Sequence, residues 1–396
     1  MKVLLAYNLH RGGGGSDDAA IWTERLLRTR DVEVEPFVRD SSQLPPGLKG
    51  RSRAATAGVY ARDAVRRFRV VLERFAPDVV HAHELYPLIS PWVMASAHTA
   101  GVPVVMTCHD YRLTCPIATH FSNGALCFAC MDGSELSCVT KNCRGNRLES
   151  AAYALRSRVA RSADLVMGNV SVFITPTDFA RRWLVEKAAV PEQQTVTIPY
   201  GIRIPSEPVD PAAGTAVGYA GRFVPEKGIA TLLAAARATG LPLRIAGDIS
   251  DMPWLAAETG VEVAGRLDSG GMAEFYRSLR MLVVPSTWFE TFGIVAGEAM
   301  SHGVPVIASR IGALAEVVDD GRTGVLVPPG DAASLANAMR AVWDDPAAAR
   351  RMGSAGRDKI MRECHEDVHF ERLMKAYQMA ASLASADRAP ASPRGR

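Results

Sequence analysis

Short apolar segments, each the length of one buried strand, alternate with helix-patterned segments along nearly the whole chain. In the first half they are Val3–Tyr7, Val79–His81, Val102–Thr107, Ala163–Met167 and Ile174–Thr175, with a helical apolar period from Ala57 to Phe75. In the second half they are Val217–Ala220, Leu243–Ala246, Val261–Val263, Met281–Val284 and Val304–Ala308, with helical patterns over Gly228–Thr239 and Ala332–Val342. A strand that reads as a continuous apolar run is buried on both faces, so this alternation predicts parallel sheets covered by helices on each side. Three prolines and little periodicity over Gly201–Thr215 mark a linker. The reading is two α/β domains, 1–205 and 206–380, followed by a disordered tail over 381–396. A site between two such domains lies at the carboxyl ends of the strands.

Composition narrows the function classes. With 45 Lys and Arg against 42 Asp and Glu, the net charge is +3, too balanced for a whole-protein nucleic-acid binder. No apolar run approaches the roughly 18 residues of a membrane span. The apolar start Val3–Tyr7 is too short for a signal-peptide core, which predicts a cytoplasmic protein. Residues 1–200 carry 24 basic and 19 acidic side chains, and the basic excess is densest from Lys49 to Arg74. That stretch reads either as a solvated helix face or as a peripheral contact with an anionic membrane or a phosphorylated acceptor.

Two segments of the second half carry chemistry. Gly221-Arg222-Phe223-Val224-Pro225-Glu226-Lys227-Gly228 follows an apolar strand directly. Glycine at a strand end lets the backbone turn close to a ligand, and Arg222 and Lys227 place fixed positive charge where a diphosphate leaving group needs it. The same residues alone also read as a surface loop. The second segment runs from Pro285 to Met300 and holds Glu290-Thr291-Phe292-Gly293 and, eight positions after Glu290, Glu298. Gly293 is expected to open a helix whose free amides bind phosphate, Glu298 to accept from a ribose diol, and Glu290 to take sugar hydroxyls. No Asp-x-Asp pair occurs to hold a catalytic metal, and no Walker A sequence is present.

In this order the two segments resemble the retaining glycosyltransferases of family 4, which have the GT-B architecture of two Rossmann-like domains facing a central cleft. Gly303–Ser309 and Gly321–Gly330 fit the same pattern. The resemblance covers about residues 1–380 and is most specific over 217–330. It implies a nucleotide-sugar donor and a hydroxyl acceptor. Arg222 and Lys227 would hold the diphosphate, with Glu290 on the donor sugar and Glu298 on the ribose. Arg266, in Val263-Ala264-Gly265-Arg266, stands where the family reads the base. The glycines at 12–15, Gly14 and Gly15 among them, would lie near diphosphate and acceptor, and His109 beside the transferring sugar.

The first half adds His81-Ala82-His83 and His109-Asp110, each at a predicted strand end. It also holds five cysteines spaced Cys115-x11-Cys127-x2-Cys130-x7-Cys138-x4-Cys143. A C-x2-C pair with further cysteines nearby reads as a tetrahedral zinc site; free thiols and an iron–sulfur cluster are the alternatives. A branch of the same family carries a similar insertion, and by that resemblance the ligands would be Cys115, Cys127, Cys130 and Cys143. A metal staple would order the loop 115–145, which has little apolar content. The expected activity is glycosyl transfer with retention and no catalytic metal. The alternatives are another sugar-nucleotide reaction, such as epimerisation, and an inactive binding module.

Overall fold

The computed structural model describes residues 1–388. Two six-stranded sheets carry the two halves. In the first, the order is Glu33–Asp40, Lys2–Leu9, Val79–Ala82, Val104–Thr107, Val172–Thr175, Thr195–Thr197, and every neighbouring pair is parallel. In the second, the order is Val261–Gly265, Leu243–Ala246, Ala216–Ala220, Leu279–Val284, Val306–Ser309, Gly324–Val327, again all parallel. The central strands are fully buried, as their continuous Val, Leu and Ile runs require. In both sheets the strand order reverses beside the first strand, which opens a crevice at the carboxyl ends there. This is the GT-B fold.

Several elements differ from the sequence reading. The strand Glu33–Asp40 was hidden by Pro36, which is tolerated because the strand lies at the sheet edge. Ala163–Met167 is a turn after the helix Arg147–Ser162, not a strand. The expected helix over Ala57–Phe75 is two helices, Gly47–Val59 and Arg62–Phe75, broken where Tyr60 turns extended. Trp92 Nε1 donates to the Val59 carbonyl at 2.9 Å and satisfies one group freed by the break.

The largest correction is at the end of the chain. The expected disordered tail from 381 is helical as far as Arg388, within the helix Glu366–Arg388; residues 389–396 lie outside the described residues. Leu373, Ala376, Tyr377 and Ala380 of this helix pack with Val3, Leu5 and Tyr7 of the first sheet. So the second domain does not run to 380: the chain crosses back to the first after Cys364. The two crossings touch, because Ile202 N–H donates to the Cys364 carbonyl at 2.8 Å and His369 Nδ1 pairs with the Pro199 carbonyl at 2.7 Å.

Candidate active site

The strand Ala216–Ala220 ends in Gly221, and a short 3-10 turn, Pro225–Lys227, leads through Gly228 into the helix Ile229–Thr239. Gly228 has φ +72°, and a Cβ there would fall 1.9 Å from the Pro285 carbonyl oxygen. Only glycine lets this loop press against the one that carries Glu290. Arg222 is exposed at the turn and Lys227 half-buried.

Glu290 is the centre of the arrangement. Its Oε1 accepts from Lys227 Nζ at 2.6 Å, Ser286 Oγ at 2.7 Å and Trp288 Nε1 at 3.1 Å. Burial pushes the carboxyl up, but the Lys227 charge and these three donors outweigh it and hold the group below the ordinary value. All three donors fall on Oε1. Lys227, expected to serve a diphosphate, is thus bound to Glu290, the carboxylate expected to take sugar hydroxyls.

Gly293, at φ +85°, opens the helix Ile294–Ser301, as its place before the apolar run predicted. Glu298 sits on that helix and accepts from Tyr276 Oη at 2.7 Å through Oε2. Burial raises the Glu298 carboxyl, and the Tyr276 bond only partly opposes this.

The first domain meets this loop directly. Thr291 Oγ1 donates to the His109 carbonyl at 3.0 Å, and Tyr111 Oη donates to the Glu290 carbonyl at 3.2 Å. His109 shares a 2.9 Å hydrogen bond with His83 through Nε2 and one of 2.7 Å with Tyr200 Oη through Nδ1. Tyr200 in turn packs edge-on against Phe292. Burial pushes His109 down to about 4, so its imidazole is neutral at pH 7. Arg266 Nη2 donates to the Gly12 carbonyl at 2.7 Å, and a Cβ on Gly15 would lie 2.8 Å from Ile294 Cδ1. The glycine loop therefore closes onto the nucleotide half. The structure brings His109, Glu290, Thr291 and Phe292 together, sets Gly12 and Gly13 against Arg266, and sets Gly15 against the helix that Gly293 opens, while Gly14 caps the start of the helix Gly15–Thr29. Arg222 stands apart, its side chain without a hydrogen-bond or ion-pair partner among the described residues.

Some residues escaped the sequence reading. Asp17 accepts from His10 N–H and pairs with His10 Nδ1, both at 2.7 Å, and so ties the two ends of the glycine loop. The His-x-x-x-x-x-x-Asp spacing that frames the four glycines was the available signal. Arg112 pairs with both Glu84 and Asp110 in a buried cluster just behind His109.

The cysteine-rich loop is held by contacts with its neighbours. All seven cysteines are free thiols. Among the described residues no group of three or more His, Cys, Asp or Glu side chains is placed to hold a metal ion, so the expected zinc site of Cys115, Cys127, Cys130 and Cys143 is not shown. Cys127 Sγ instead accepts from Lys141 Nζ, and Cys143 Sγ donates to Ser122 Oγ. His120 links Thr114 Oγ1 to the Cys127 carbonyl, at 2.7 and 2.9 Å. Phe128 packs on Trp183 and on Phe289, next to Glu290. The loop borrows a core from its neighbours, which its own composition could not reveal.

Residues 13–201 match the family model described as a glycosyl transferase 4-like domain, and residues 214–345 match the one described as glycosyl transferases group 1. The chain belongs to this glycosyltransferase family. This member is 31% identical over 237 residues to the phosphatidyl-myo-inositol mannosyltransferase of Mycobacterium leprae, covering 56% of this chain and 61% of that protein. It is 31% identical over 298 residues to a glycogen synthase of Mycobacterium tuberculosis, covering 72% of this chain and 64% of that one. The family member thus spans less than two thirds of the length of these curated relatives. Among solved structures, sucrose-phosphate synthase from Thermosynechococcus elongatus superposes with a TM-score of 0.71 at 22% identity, covering 96% of this chain and all of that one. Anabaena Alr3699/HepE in complex with UDP and glucose superposes with a TM-score of 0.66 at 19% identity, covering 96% of this chain and 99% of that one.

Proposed function

We propose that the chain transfers a sugar from a nucleotide-sugar donor to a hydroxyl acceptor, with retention of configuration, in the cleft between its two sheets. The observation that carries this is the joining of Glu290 to Lys227 on the nucleotide side while its neighbour Thr291 holds the His109 carbonyl across the cleft. In this reading Arg222, Lys227 and the amides that open the helix at Gly293 face the leaving diphosphate. Glu290 Oε2 takes sugar hydroxyls, and Glu298 accepts from the ribose. Arg266 and the Gly14–Gly15 loop close over the donor. The His109 carbonyl keeps one lone pair for the transferring sugar. The bond from the anomeric carbon to the diphosphate oxygen breaks as the bond to the acceptor oxygen forms on the same face. The acceptor's proton passes to the departing phosphate.

The acceptor half also presents Arg51, Arg53, Arg62, Arg66 and Arg67, all exposed, beside exposed Leu48, Tyr60 and Val70. This supports a protein of the cytoplasmic side that touches an anionic membrane peripherally through residues 49–74. Among the described residues no helix is long and apolar enough to cross a membrane.

A thermal-shift screen of nucleotide sugars tests the reading, since a donor at a hundred times its Kd should add about 2.7 kcal/mol. The stabilising donor should then release nucleotide faster when acceptor is present. Stabilisation by no nucleotide sugar would overturn it, and epimerisation of the donor without transfer would replace it by the sugar-nucleotide alternative.

A further inference from the structure

Behind His109 the first domain encloses a cavity of about 140 Å³, room for several waters or a small phosphorylated head group. Its walls run from His83 and His109 past Arg112 and Arg156 to the exposed Arg161 and Asp164. Leu85, Met94, Met106 and Val166 supply an apolar side.

Two of its arginines are incompletely partnered. Arg156, on the helix Arg147–Ser162, is only 8% exposed. Its guanidinium lies 3.7 Å from the Tyr153 ring centre and 4.2 Å from that of Tyr86. Among the described residues its one polar contact is Nη2 with the Pro116 carbonyl at 3.4 Å, and no carboxylate pairs with it. Arg112 gives Nε and Nη2 to Asp110 and Glu84, but its Nη1 is buried with no partner. Both guanidiniums lie on the same Tyr86 ring, Arg112 at 5.1 Å from its centre. A buried cation without an anion is costly, and a second one nearby adds repulsion. Burial first, then Arg112, holds Arg156 below its ordinary pKa. Tyr153, Tyr86 and Glu84 oppose this only in part, and an anion between the two groups would complete the compensation. Two planar forks approaching one space suit the several oxygens of a phosphate.

Resting on the glycosyl-transfer reading, we propose that the acceptor carries a phosphate group and that this cavity binds it between Arg156 and Nη1 of Arg112. The acceptor is then either a water-soluble sugar phosphate or a lipid with a phosphate head group. Its hydroxyl is presented toward His109.

The test is titration calorimetry with inorganic phosphate on the full chain, its donor site first saturated with whichever nucleoside diphosphate binds. Wild type should show a saturable phosphate site, Arg156→Gln should weaken it at least tenfold, and Arg156→Lys should retain part of it. Nucleoside diphosphate affinity should be the same in all three, which also shows that the variants are folded; should Arg156→Gln not fold, Arg156→Lys against wild type decides, with an expected severalfold loss. Glucose 6-phosphate against glucose, and vesicles of phosphatidic acid in phosphatidylcholine against phosphatidylcholine alone, separate the two sources by which arm loses binding in the variant. Failure of every nucleoside diphosphate to bind would sink the transferase reading. Normal nucleotide binding with no phosphate site, or with one indifferent to Arg156, overturns this proposal alone.

Discussion

Lys227 Nζ lies 2.6 Å from Oε1 of Glu290, so the cation of the glycine-rich turn and the carboxylate of the next loop form one unit. Removing either partner leaves a buried or half-buried charge uncompensated, and the two cannot be treated as independent contacts.

Lys227→Ala should lower kcat/KM by roughly 10²–10³, the scale of lost charge stabilisation at a leaving group. It should also move the acid limb of the pH–rate profile. Lys227 opposes the upward push of burial on Glu290, so without it the carboxyl protonates at higher pH and activity is lost sooner on acidification. A wild-type rate, or an unmoved acid limb, would separate Lys227 from Glu290.

Glu298→Ala should weaken nucleotide binding by about tenfold, near 1.4 kcal/mol, while a bound donor still turns over. Tyr276→Phe removes the bond that holds the raised Glu298 carboxyl down. Its affinity should therefore resemble wild type at neutral pH and fall earlier as the pH drops. Calorimetric titration of nucleotide at several pH values measures both. A turnover defect at unchanged affinity in Glu298→Ala would exchange its role with that of Glu290.

Three buried histidines make stability sensitive to acid. Burial pushes His81 down to about 3 and His109 and His369 to about 4, against about 6.5 in the unfolded chain. Above 6.5 both states are neutral. Between 6.5 and 4 the unfolded chain takes up protons that the native state refuses, so stability falls with pH, by up to about 1.4 kcal/mol per unit for each histidine. Urea unfolding from pH 7 to 4.5 should show that slope, and His369→Gln should flatten it by one proton. An equal slope in wild type and variant would mean that His369 is already protonated when folded.

Most strands of both sheets, the turn at Gly221–Gly228 and the Glu290–Glu298 segment were legible because each is a local pattern: an apolar run, a glycine after it, a fixed carboxylate spacing. What stayed hidden depends on partners far along the chain. Thr291 is 182 residues from the carbonyl it holds, and nothing around either announces the other. The last turns of the helix Glu366–Arg388 read as a tail from 381, and its earlier part as the end of the second domain, because its buried face meets a sheet that begins at Lys2. Phe128 gives the cysteine loop a core only once Trp183 and Phe289 arrive.

Vesicles with anionic lipid should sediment the protein at low salt and release it at moderate salt, each basic side chain near the surface contributing about 1 kcal/mol. Replacing Arg51, Arg53, Arg62 and Arg66 by glutamate should abolish sedimentation without changing nucleotide affinity. Equal sedimentation with neutral vesicles would leave only a solvated face, part of it occupied by the ion pairs of Asp63 with Arg66 and Arg67.

The chain passes between the domains twice, and the two passages are hydrogen-bonded to each other through Ile202 with Cys364 and through His369 with Pro199. A single tether would leave the halves free to swivel; a double one acts as a pinned hinge and confines them to opening and closing about one axis. It also makes the halves inseparable. A fragment ending at residue 205 would lack Leu373, Ala376, Tyr377 and Ala380, and would expose the face of its first sheet that they cover.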